Sequence, residues 1–402
     1  MKSTKSVTSN NTLRICFFTH ASNLTGANRS LLDLLSGMQK QSVELRVVLR
    51  NSGPLEEELK SMGINYDIIR YYNDLKSNNG IKTVLKRVWN CVALLRVCKY
   101  LKSEQFDIIH NNDLMSCIGM RAAKRVKIPY VAHMRDMIEE DHGRKFINKT
   151  EVCSLLDGAS LIIYISKFVE KKFVAWNNNP NGIVVFDGLK IDNYSIGSRD
   201  ILKNDDLKIC IVGTIKETKG QYDALMGYME LIKNGYSNVS LYIIGDPRSN
   251  KDEYYTSIKK CITDNQLSKV KIIPFISTED LKHIRSKCDI CLVCSKAEAL
   301  GRVTVESMLA GCLTIGANCG ATSEIIKDKL NGYLYEYGDY LQLSKIIQEA
   351  IIDFEGSNIV ANNGKRFAEE TFDCFKYSER IYHEYSKILK SGIPDREISR
   401  IL

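Results

Sequence analysis

The chain has 402 residues, of which 44% are apolar and 26% charged, and its formal net charge is +8. This length suits two domains of ordinary soluble composition, and no apolar run approaches the roughly 20 residues that are needed to span a bilayer. Residues 1–11 are polar and lack the apolar core of a secretion signal, so we interpret them as a disordered lead-in and expect a cytoplasmic protein.

The cysteine usage predicts free thiols, because thirteen cysteines without a secretion signal indicate a reducing compartment. Cys288, Cys291 and Cys294 repeat at a three-residue spacing that could hold a metal. They lie along a predicted strand, however, where side chains at that spacing alternate between the two faces and do not converge. We therefore expect buried thiols at these positions and no metal.

The first predicted elements are a strand at Leu13–Thr19, a turn, and a helix from about Asn28 to Gln39. Such a turn, here with Gly26 and Ala27, can hold a phosphate on the backbone N–H groups that open the helix. The alternative is that the glycine serves a tight turn and nothing more. Alternation of strand and helix continues through Met62, which indicates an α/β domain.

Residues 81–102 form a long helical pattern with an apolar stripe at positions 81, 84, 85, 88, 92 and 95. The stretch from Leu75 to Ser103 contains seven lysines or arginines and no acidic residue. One interpretation is an outer helix whose stripe packs on the sheet. The other is a basic surface, 82–102, that lies against an anionic membrane. The two are compatible, whereas nucleic acid is disfavoured because no nucleic-acid motif accompanies the patch.

Two further predicted strands, Phe106–His110 and Pro129–Ala132, lead into polar residues at their carboxyl ends. Because ligands of open parallel sheets bind at those ends, we expect a ligand pocket there, with His133 or Arg135 facing it. A packed or surface position is an equally good interpretation of His133.

The first half of the chain closes with a strand at Gly182–Phe186. Residues 193–206 are polar and have no periodicity, which predicts the linker between the domains. We therefore expect a first domain over 12–192 and a second over 207–373.

The second half restarts the alternation with a strand at Leu207–Val212 and a turn from Gly213 to Gly220. Lys216 and Lys219 lie in this turn, and a solvent-facing side chain is the alternative to a functional one for Lys219. The strands and helices expected next are Val239–Gly245, Asp252–Asp264, Val270–Phe275 and Thr278–Ser286.

The stretch Leu292–Tyr335 carries two features that suit a nucleotide sugar. Glu298 precedes a predicted helix and Glu306 lies in its second turn, and carboxylates bind hydroxyl groups well. Gly301 and Gly320-Ala321 lie at strand-to-helix turns, where free N–H groups and the helix dipole can hold a phosphate. A charged loop beside a surface helix is the alternative for either glutamate.

One string of residues in this stretch resembles, in order and spacing, the pattern of the retaining glycosyltransferases of family 4: Ser295, Glu298, Gly301, Glu306, Ala310-Gly311, Gly320, Glu324 and Gly332. The resemblance is close over roughly 208–345 and loose over the N-terminal half. It implies an α/β protein of the GT-B fold, with two doubly wound Rossmann-like domains facing across a cleft. It also implies a C-terminal helix, 374–402, that crosses back to the first domain.

The resemblance assigns donor-binding roles to individual residues. Glu298 would hold the hydroxyls of the transferred sugar, Glu306 those of the ribose, and Lys219 the diphosphate. Thr214 stands where the family has an arginine, and Lys216 would supply the missing charge. The implied donor-binding set is Gly213, Thr214, Lys216, Lys219, Phe275, Glu298, Leu300, Gly301, Arg302 and Glu306, and the implied phosphate loops are Gly26, Ala27, Gly320 and Ala321.

The resemblance is less complete around the reaction centre. Members often carry a histidine near the anomeric carbon, and its place falls on Arg135, two residues after His133. Asp187-Gly188 stands where the family often has Asn-Gly. The candidate catalytic set is therefore Glu298, Lys219, His133 and Arg135.

The expected function is transfer of a hexosyl group from a nucleoside diphosphate sugar to a glycan or lipid-linked acceptor, in cell-surface polysaccharide biosynthesis. The sequence contains no Asp-x-Asp, so we expect no divalent metal and no cofactor. It also contains no Walker-type loop and no G-x-G-x-x-G, which argues against an NTPase or a dehydrogenase. The alternatives are an epimerase-type GT-B enzyme and a non-catalytic subunit that binds a nucleotide sugar.

Overall fold

The computed structural model of the protein describes residues 12–138, 143–197, 199–203, 206–247, 249 and 252–391. The predicted lead-in, 1–11, lies outside them. The chain forms two compact units. The first comprises the described residues up to Ile165, Val169–Gly188 and the described residues from Cys374 onward, and the second comprises Ser166–Phe168 and Leu189–Asp373.

The first unit contains, within the described residues, a seven-stranded parallel sheet in the order β3-β2-β1-β4-β5-β6-β7. Its strands are β1 Leu13–Phe18, β2 Val43–Leu49, β3 Asn65–Ile68, β4 Ile108–Asn111, β5 Tyr130–Met134, β6 Leu161–Tyr164 and β7 Gly182–Val184. The helices between them are α1 Gly26–Met38, α2 Leu55–Ser61, α3 Gly80–Glu104, α4 Ile118–Val126, α5 Lys149–Asp157 and α6 Lys167–Phe173. The strand order reverses direction between β1 and β4, which creates a topological switch point there.

The second unit contains a six-stranded parallel sheet in the order β10-β9-β8-β11-β12-β13, again counted within the described part of the chain. Its strands are β8 Leu207–Val212, β9 Val239–Ile244, β10 Val270–Ile273, β11 Ile290–Val293, β12 Leu313–Ala317 and β13 Tyr333–Tyr335. Its helices are α7 Gln221–Lys233, α8 Glu253–Asp264, α9 Thr278–Arg285, α10 Arg302–Leu309, α11 Thr322–Ile325, α12 Tyr340–Ile352 and α13 Phe354–Thr371. Here the switch point lies between β8 and β11.

The last helix, α14 Cys374–Ser391, belongs to the first unit and packs on α1. Tyr377, Ile381 and Tyr385 of α14 are buried in the same core as the apolar side chains of β1 and α1. The two helices approach closely because position 37 is a glycine: a Cβ there would lie 2.6 Å from the carbonyl oxygen of Cys374 and would clash with the hydroxyl of Ser378.

The segment predicted as a linker, 193–206, includes side chains that pack in the second unit. Ile201 lies in the core of that unit, and its backbone N–H and C=O bond to the side-chain amide of Asn358 at 2.8 and 2.9 Å. Arg199 donates to the backbone carbonyl of Ser286 at 2.7 Å. Individual side chains hold the segment in place, and they do not recur at a helix or strand period. Its sequence therefore looks like that of a linker. The larger part of the second unit begins at Leu189 and includes this segment.

The interpretation of the apolar stripe as the packing face of the long helix is wrong. The structure has the helix, as α3, but the side chains turned towards the protein are Asn90, Ala93, Val97 and Leu101. The predicted inward stripe, including Ile81, Leu85 and Leu95, is exposed. The helix is apolar on two sides, and the sequence pattern does not tell which side is covered. Among the described helices, none is long and apolar enough to cross a membrane.

The cysteine argument is confirmed for the buried thiols, and its geometry is wrong. Cys288, Cys291 and Cys294 are buried thiols. However, Cys288 and Cys291 pack in one cluster with Cys210 and Cys312, whereas Cys294 lies in the main core. The strand begins only at Ile290, so the alternation of faces does not extend to Cys288.

Candidate functional site

The predicted donor-binding residues gather at the carboxyl end of the sheet in the second unit. The turn from Gly213 to Gly220 follows β8, the loop with Glu298 follows β11, and the loop with Gly320 follows β12. Strands β8, β11 and β12 are neighbours in that order, so the three loops adjoin at the switch point. Open parallel sheets bind their ligands at this position.

The turn after β8 is shaped by a tight approach to β11. Gly220 adopts a φ of +67°, and a Cβ on it would clash with the carbonyl of Cys294 and lie 2.7 Å from its Cβ. Only glycine fits such a position without displacing the neighbouring strand. The buried Gln221 donates to the backbone carbonyl of Thr214 at 3.1 Å, while the Thr214 side chain, at the place of the family's arginine, is exposed.

Lys219 and Glu298 form an ion pair between their Nζ and Oε1 atoms. Their side chains are 24% and 13% exposed, so the pair is partly covered but open to a ligand. The loop of Glu298 is fixed from behind, since its carbonyl accepts from the backbone N–H of Ala321 at 2.9 Å. A cation and a carboxylate in contact suit a ligand that carries a phosphate next to hydroxyl groups.

Gly320 holds the loop after β12 against the loop of Glu298. Its φ is +59°, and a Cβ on it would lie 2.6 Å from the backbone nitrogen of Glu298. The N–H of Ala321 is used by the Glu298 carbonyl, so Ala321 supports the position of Glu298 instead of offering this amide to a phosphate. The loop at 320–321, which was predicted to hold a phosphate, contacts the backbone of Glu298 and fixes the position of that residue.

Glu306 has a partner that the sequence analysis missed. Its Oε2 lies 2.9 Å from Nη1 of Arg285, and its Oε1 lies 3.7 Å from Nε of Arg302. Arg285 is buried on α9. Burial by itself lowers the pKa of its guanidinium, but the Glu306 carboxylate outweighs this and the pKa lies above the ordinary value. The pair joins positions 21 residues apart, and no local motif marks such a partner.

The remaining predicted donor residues differ in how they are placed. Leu300 is buried, whereas Phe275, in the loop after β10, is 63% exposed. Gly301 precedes α10 with a φ of +84°. Lys216 lies in the turn after β8 and is partly exposed, on the same strand end as Lys219. All four lie at the carboxyl end of the second sheet.

The predicted catalytic pair of the first unit, His133 and Arg135, is buried in a polar network. Arg135 forms an ion pair with Asp187 and hydrogen bonds at 3.1 Å with Asn112 and Tyr377. The side chains of His133 and Arg135 are 0% and 1% exposed. Both side chains are thus held inside this network, and the expectation that one of them faces a pocket stays a prediction.

Two histidines occupy the centre of this network. Nε2 of His110 lies 3.1 Å from Nδ1 of His133, and the hydroxyl of Tyr385 lies 2.6 Å from Nδ1 of His110. Burial lowers the pKa of both imidazoles well below the ordinary value, and the charge of Arg135 lowers it further. Both pKa shifts favour the neutral form of the imidazole in the folded protein. With Tyr377 and Tyr385 supplied by α14, the network fastens the C-terminal helix to the sheet.

The sequence analysis also missed an ion pair at the switch point of the first unit. Nδ1 of His20, two residues after β1, pairs with Oδ2 of Asp113, two residues after β4. The His20 side chain is 11% exposed. Burial lowers the pKa of His20, but the charge and hydrogen bond of Asp113 raise it more, so that it lies above the ordinary value. A histidine and an aspartate at the ends of two strands could have been noted from the sequence.

The glycine loop predicted at Gly26 and Ala27 borders this pair. The side-chain amide of Asn28 donates to the carbonyls of Ala21 and Asn23 at 2.9 and 2.8 Å, which folds the loop after His20 back on α1. Gly26 is exposed, with open space where a Cβ would be. The loop and the ion pair thus form a polar edge at the switch point of the first sheet.

Two family models match the chain, each over one unit. The model described as Glycosyl transferases group 1 matches residues 198–367, and the one described as Glycosyltransferase Family 4 matches residues 24–186. The first match contains the loops of Lys219, Glu298 and Gly320. The second contains Gly26 and Asp113 of the polar edge and begins after His20.

Individual proteins are similar over most of the chain. An uncharacterized glycosyltransferase of Methanocaldococcus jannaschii is 26% identical over 297 residues, 71% of this chain and 78% of that protein. The UDP-Gal:alpha-D-GlcNAc-diphosphoundecaprenol alpha-1,3-galactosyltransferase of Escherichia coli is 22% identical over 394 residues, 89% and 96% of the two chains. HepE of Anabaena, solved in complex with UDP and glucose, superposes with a TM-score of 0.76 at 22% identity. The superposition covers 93% of this chain and 100% of that of HepE. The last similarity shows a shared fold.

Proposed function

Because the chain belongs to the glycosyltransferases of group 1 and family 4 and has their GT-B fold, we propose that it transfers a hexosyl group from a nucleoside diphosphate sugar with retention at the anomeric carbon. The observation that carries the proposal is the ion pair of Lys219 and Glu298 at the switch point of the second unit. A sugar diphosphate presents hydroxyl groups and phosphate side by side, and this pair matches them with a carboxylate and a cation.

The proposed reaction exchanges one bond at the anomeric carbon for another. The bond from that carbon to the oxygen of the β-phosphate breaks, and the acceptor hydroxyl attacks from the same face. Its proton passes to the departing phosphate oxygen. Negative charge develops on the diphosphate in the transition state, and Lys219 stabilises it electrostatically. Glu298 holds the hydroxyls of the sugar, and no enzyme carboxylate acts as a nucleophile.

Glu306 is proposed to bind the ribose hydroxyls while Arg285 and Arg302 hold its carboxylate in place. A Glu306→Gln variant keeps a side chain of the same size and should bind the nucleotide more weakly with little effect on the chemical step. Nucleotide affinity equal to that of the wild type would show that Glu306 serves only the packing of Arg285.

We propose that protein groups, and no divalent metal, neutralise the charge of the diphosphate. The sequence lacks the Asp-x-Asp that usually carries such a metal, and Lys219, Lys216 and Arg302 lie on the loops and helix at this strand end. Transfer should then be unchanged when a chelator is added. Activity that is lost with the chelator and restored by one divalent ion would contradict this part of the proposal.

A uridine diphosphate sugar is the first donor to test, because HepE was solved with UDP and glucose and the Escherichia coli relative is named for UDP-Gal. That relative is also named for an acceptor on diphosphoundecaprenol. We therefore propose that the acceptor is a lipid-linked glycan and that the protein contributes to cell-surface polysaccharide assembly. The transfer would take place at the cytoplasmic face of a membrane. The acceptor is assigned to the polar edge of the first unit, at His20 and Asp113.

The direct test is a transfer assay with labelled nucleotide sugars and a lipid-linked glycan, followed by NMR of the anomeric configuration. The proposal predicts acceptor-dependent product with the configuration of the donor. Release of an epimerised sugar without acceptor would favour the epimerase alternative. Nucleotide-sugar binding without any product, with every donor and acceptor tried, would favour a binding subunit.

A further inference from the structure

The outward side of α3 exposes a continuous row of large apolar side chains, which soluble proteins rarely do. Seven large apolar side chains on this helix are between 36% and 72% exposed. At 1.5 Å per residue the row is about 21 Å long. We call this row the α3 ridge; its members are Ile81, Val84, Leu85, Val88, Trp89, Val92 and Leu95.

The α3 ridge is not the packing face of the helix. The buried positions are Asn90, Ala93, Val97 and Leu101, and α3 packs through them towards α4. At 3.6 residues per turn, these positions lie about half a turn away from the centre of the ridge. The helix therefore covers the domain with one apolar side and presents a second apolar side outward.

Positive charge surrounds the α3 ridge. Lys82, Arg87, Arg96, Lys99 and Lys102 are exposed on the same helix, and no acidic residue occurs between Leu75 and Ser103. A neighbouring loop adds more, since the backbone N–H of Lys76 bonds to the carbonyl of Lys145 at 2.8 Å, next to the exposed Arg144.

The acidic residues beneath α3 are already engaged with other groups. Asp67 accepts from Arg46 at 3.1 Å and from the hydroxyl of Tyr100 at 2.6 Å. Asp74 is nearly buried and lies 2.8 Å from Arg121. The positive charge around the ridge is therefore directed to solvent instead of being neutralised by these carboxylates.

Trp89 stands at the border between the ridge and the basic residues. Its Nε1 donates to the carbonyl of Arg70 at 3.1 Å, and the guanidinium carbons of Arg70 and Arg96 lie 5.7 and 6.0 Å from its ring centre. An indole ring with one satisfied polar atom and cations beside it has the chemistry of a residue at a membrane–water interface.

We propose that the α3 ridge docks the protein on the surface of a bilayer that contains anionic phospholipids. The apolar row would enter the boundary of the acyl chains while the flanking lysines and arginines meet the headgroups, as in interfacial helices. A second copy of this chain fits less well, because a symmetric contact through the ridge would bring like charges together. The proposal goes beyond the transfer reaction, and its test needs neither donor nor acceptor.

The test is sedimentation of the full-length protein with vesicles of phosphatidylcholine, with and without phosphatidylglycerol. Binding should require the anionic lipid and weaken as salt screens the charges. The double substitution Leu85→Asp with Val88→Asp should reduce binding at least tenfold. Because both side chains are exposed, the thermal midpoint should stay within about 4 °C of that of the wild type.

Two matched controls separate this site from a general effect of charge. Ile352→Asp with Ile359→Asp changes two exposed apolar residues of the second unit and should leave vesicle binding unchanged. Lys82→Gln with Lys99→Gln should weaken binding, whereas Lys233→Gln with Lys345→Gln, on exposed lysines of the second unit, should not.

The emission of Trp89 gives a second readout in a variant in which Trp176, the other tryptophan, is replaced by phenylalanine. Anionic vesicles should shift this emission to shorter wavelength. No vesicle binding by the folded wild type would overturn the proposal, and so would equal binding by the Leu85→Asp, Val88→Asp protein. Self-association through the ridge, abolished by the same substitutions and without affinity for vesicles, would also overturn it.

Discussion

At the level of single residues, the pair of His20 and Asp113 ties the stability of the first unit to pH. The pKa of His20 lies above its ordinary value in the folded protein, so protonation of the imidazole favours the folded state. This contribution is complete below about pH 6.5, the ordinary pKa of histidine, and disappears as the pH rises through the folded-state pKa.

His20→Gln should therefore lower the free energy of unfolding by about 1–2 kcal/mol at roughly pH 5.5, since it removes a charge-assisted hydrogen bond. The difference between variant and wild type should shrink towards about pH 9. Denaturant unfolding at several pH values measures it, with the exposed His283→Gln as the control. A difference that grows with pH would contradict the assignment of the charged form.

The buried pair of Arg285 and Glu306 gives a second prediction at this scale. Glu306→Ala leaves the guanidinium of Arg285 buried and unpaired, which should destabilise the second unit by about 3–5 kcal/mol. Replacing both partners, as Arg285→Met with Glu306→Leu, should recover most of that loss because the unpaired charge is removed. Chemical denaturation of the three proteins checks this. A double variant no more stable than Glu306→Ala would refute the coupling.

Arg135 and Asp187 show how two departures from the family pattern explain each other. Arg135 stands at the place of the family's histidine, and Asp187 stands where the family often has asparagine. The structure joins them in a buried ion pair. A carboxylate at position 187 neutralises the guanidinium at position 135. Each of the two residues is therefore explained by its ion pair with the other.

Among the elements, the contact of α1 with α14 depends on the glycine at position 37. Gly37→Ala would press a methyl group against the carbonyl of Cys374 and the hydroxyl of Ser378. Overpacking of this kind costs roughly 1–3 kcal/mol, and we expect it to exceed the gain in helix propensity from alanine. Gly80→Ala, at the open start of α3, is the matched control. Thermal midpoints that do not fall in Gly37→Ala would contradict the close packing.

The elements themselves could largely be predicted from the sequence. Strand β8 has the predicted bounds, and β9, α8 and α9 differ from theirs by one residue at one end. Buried parallel strands are predictable because they form short apolar runs. Three elements were missed: β3 and β13, which are short and partly exposed, and α5. The hydrophobic pattern also does not predict the packing face of α3, because a helix with two apolar sides does not indicate which of them is buried.

For the whole molecule, the second unit was more predictable than the first. Its loops with Lys219, Glu298 and Gly320 are local motifs, and the structure brings them to one strand end. The pairs of Arg285 with Glu306, His20 with Asp113, and Arg135 with Asp187 join residues far apart in the chain. Such partners are set by the topology of the sheets, and one sequence does not encode them as a motif.

The central claim is that Lys219 receives the diphosphate of a sugar nucleotide in the second unit. Calorimetric titration of the full-length protein with a panel of nucleoside diphosphates, beginning with UDP, tests it most directly. We predict that one of them binds and that Lys219→Met weakens its binding roughly tenfold to a hundredfold, the loss expected for a charge-assisted contact. Lys345→Met, on an exposed lysine, should bind as the wild type does. Wild-type protein that binds none of them, or a Lys219→Met variant with full affinity, would contradict the account.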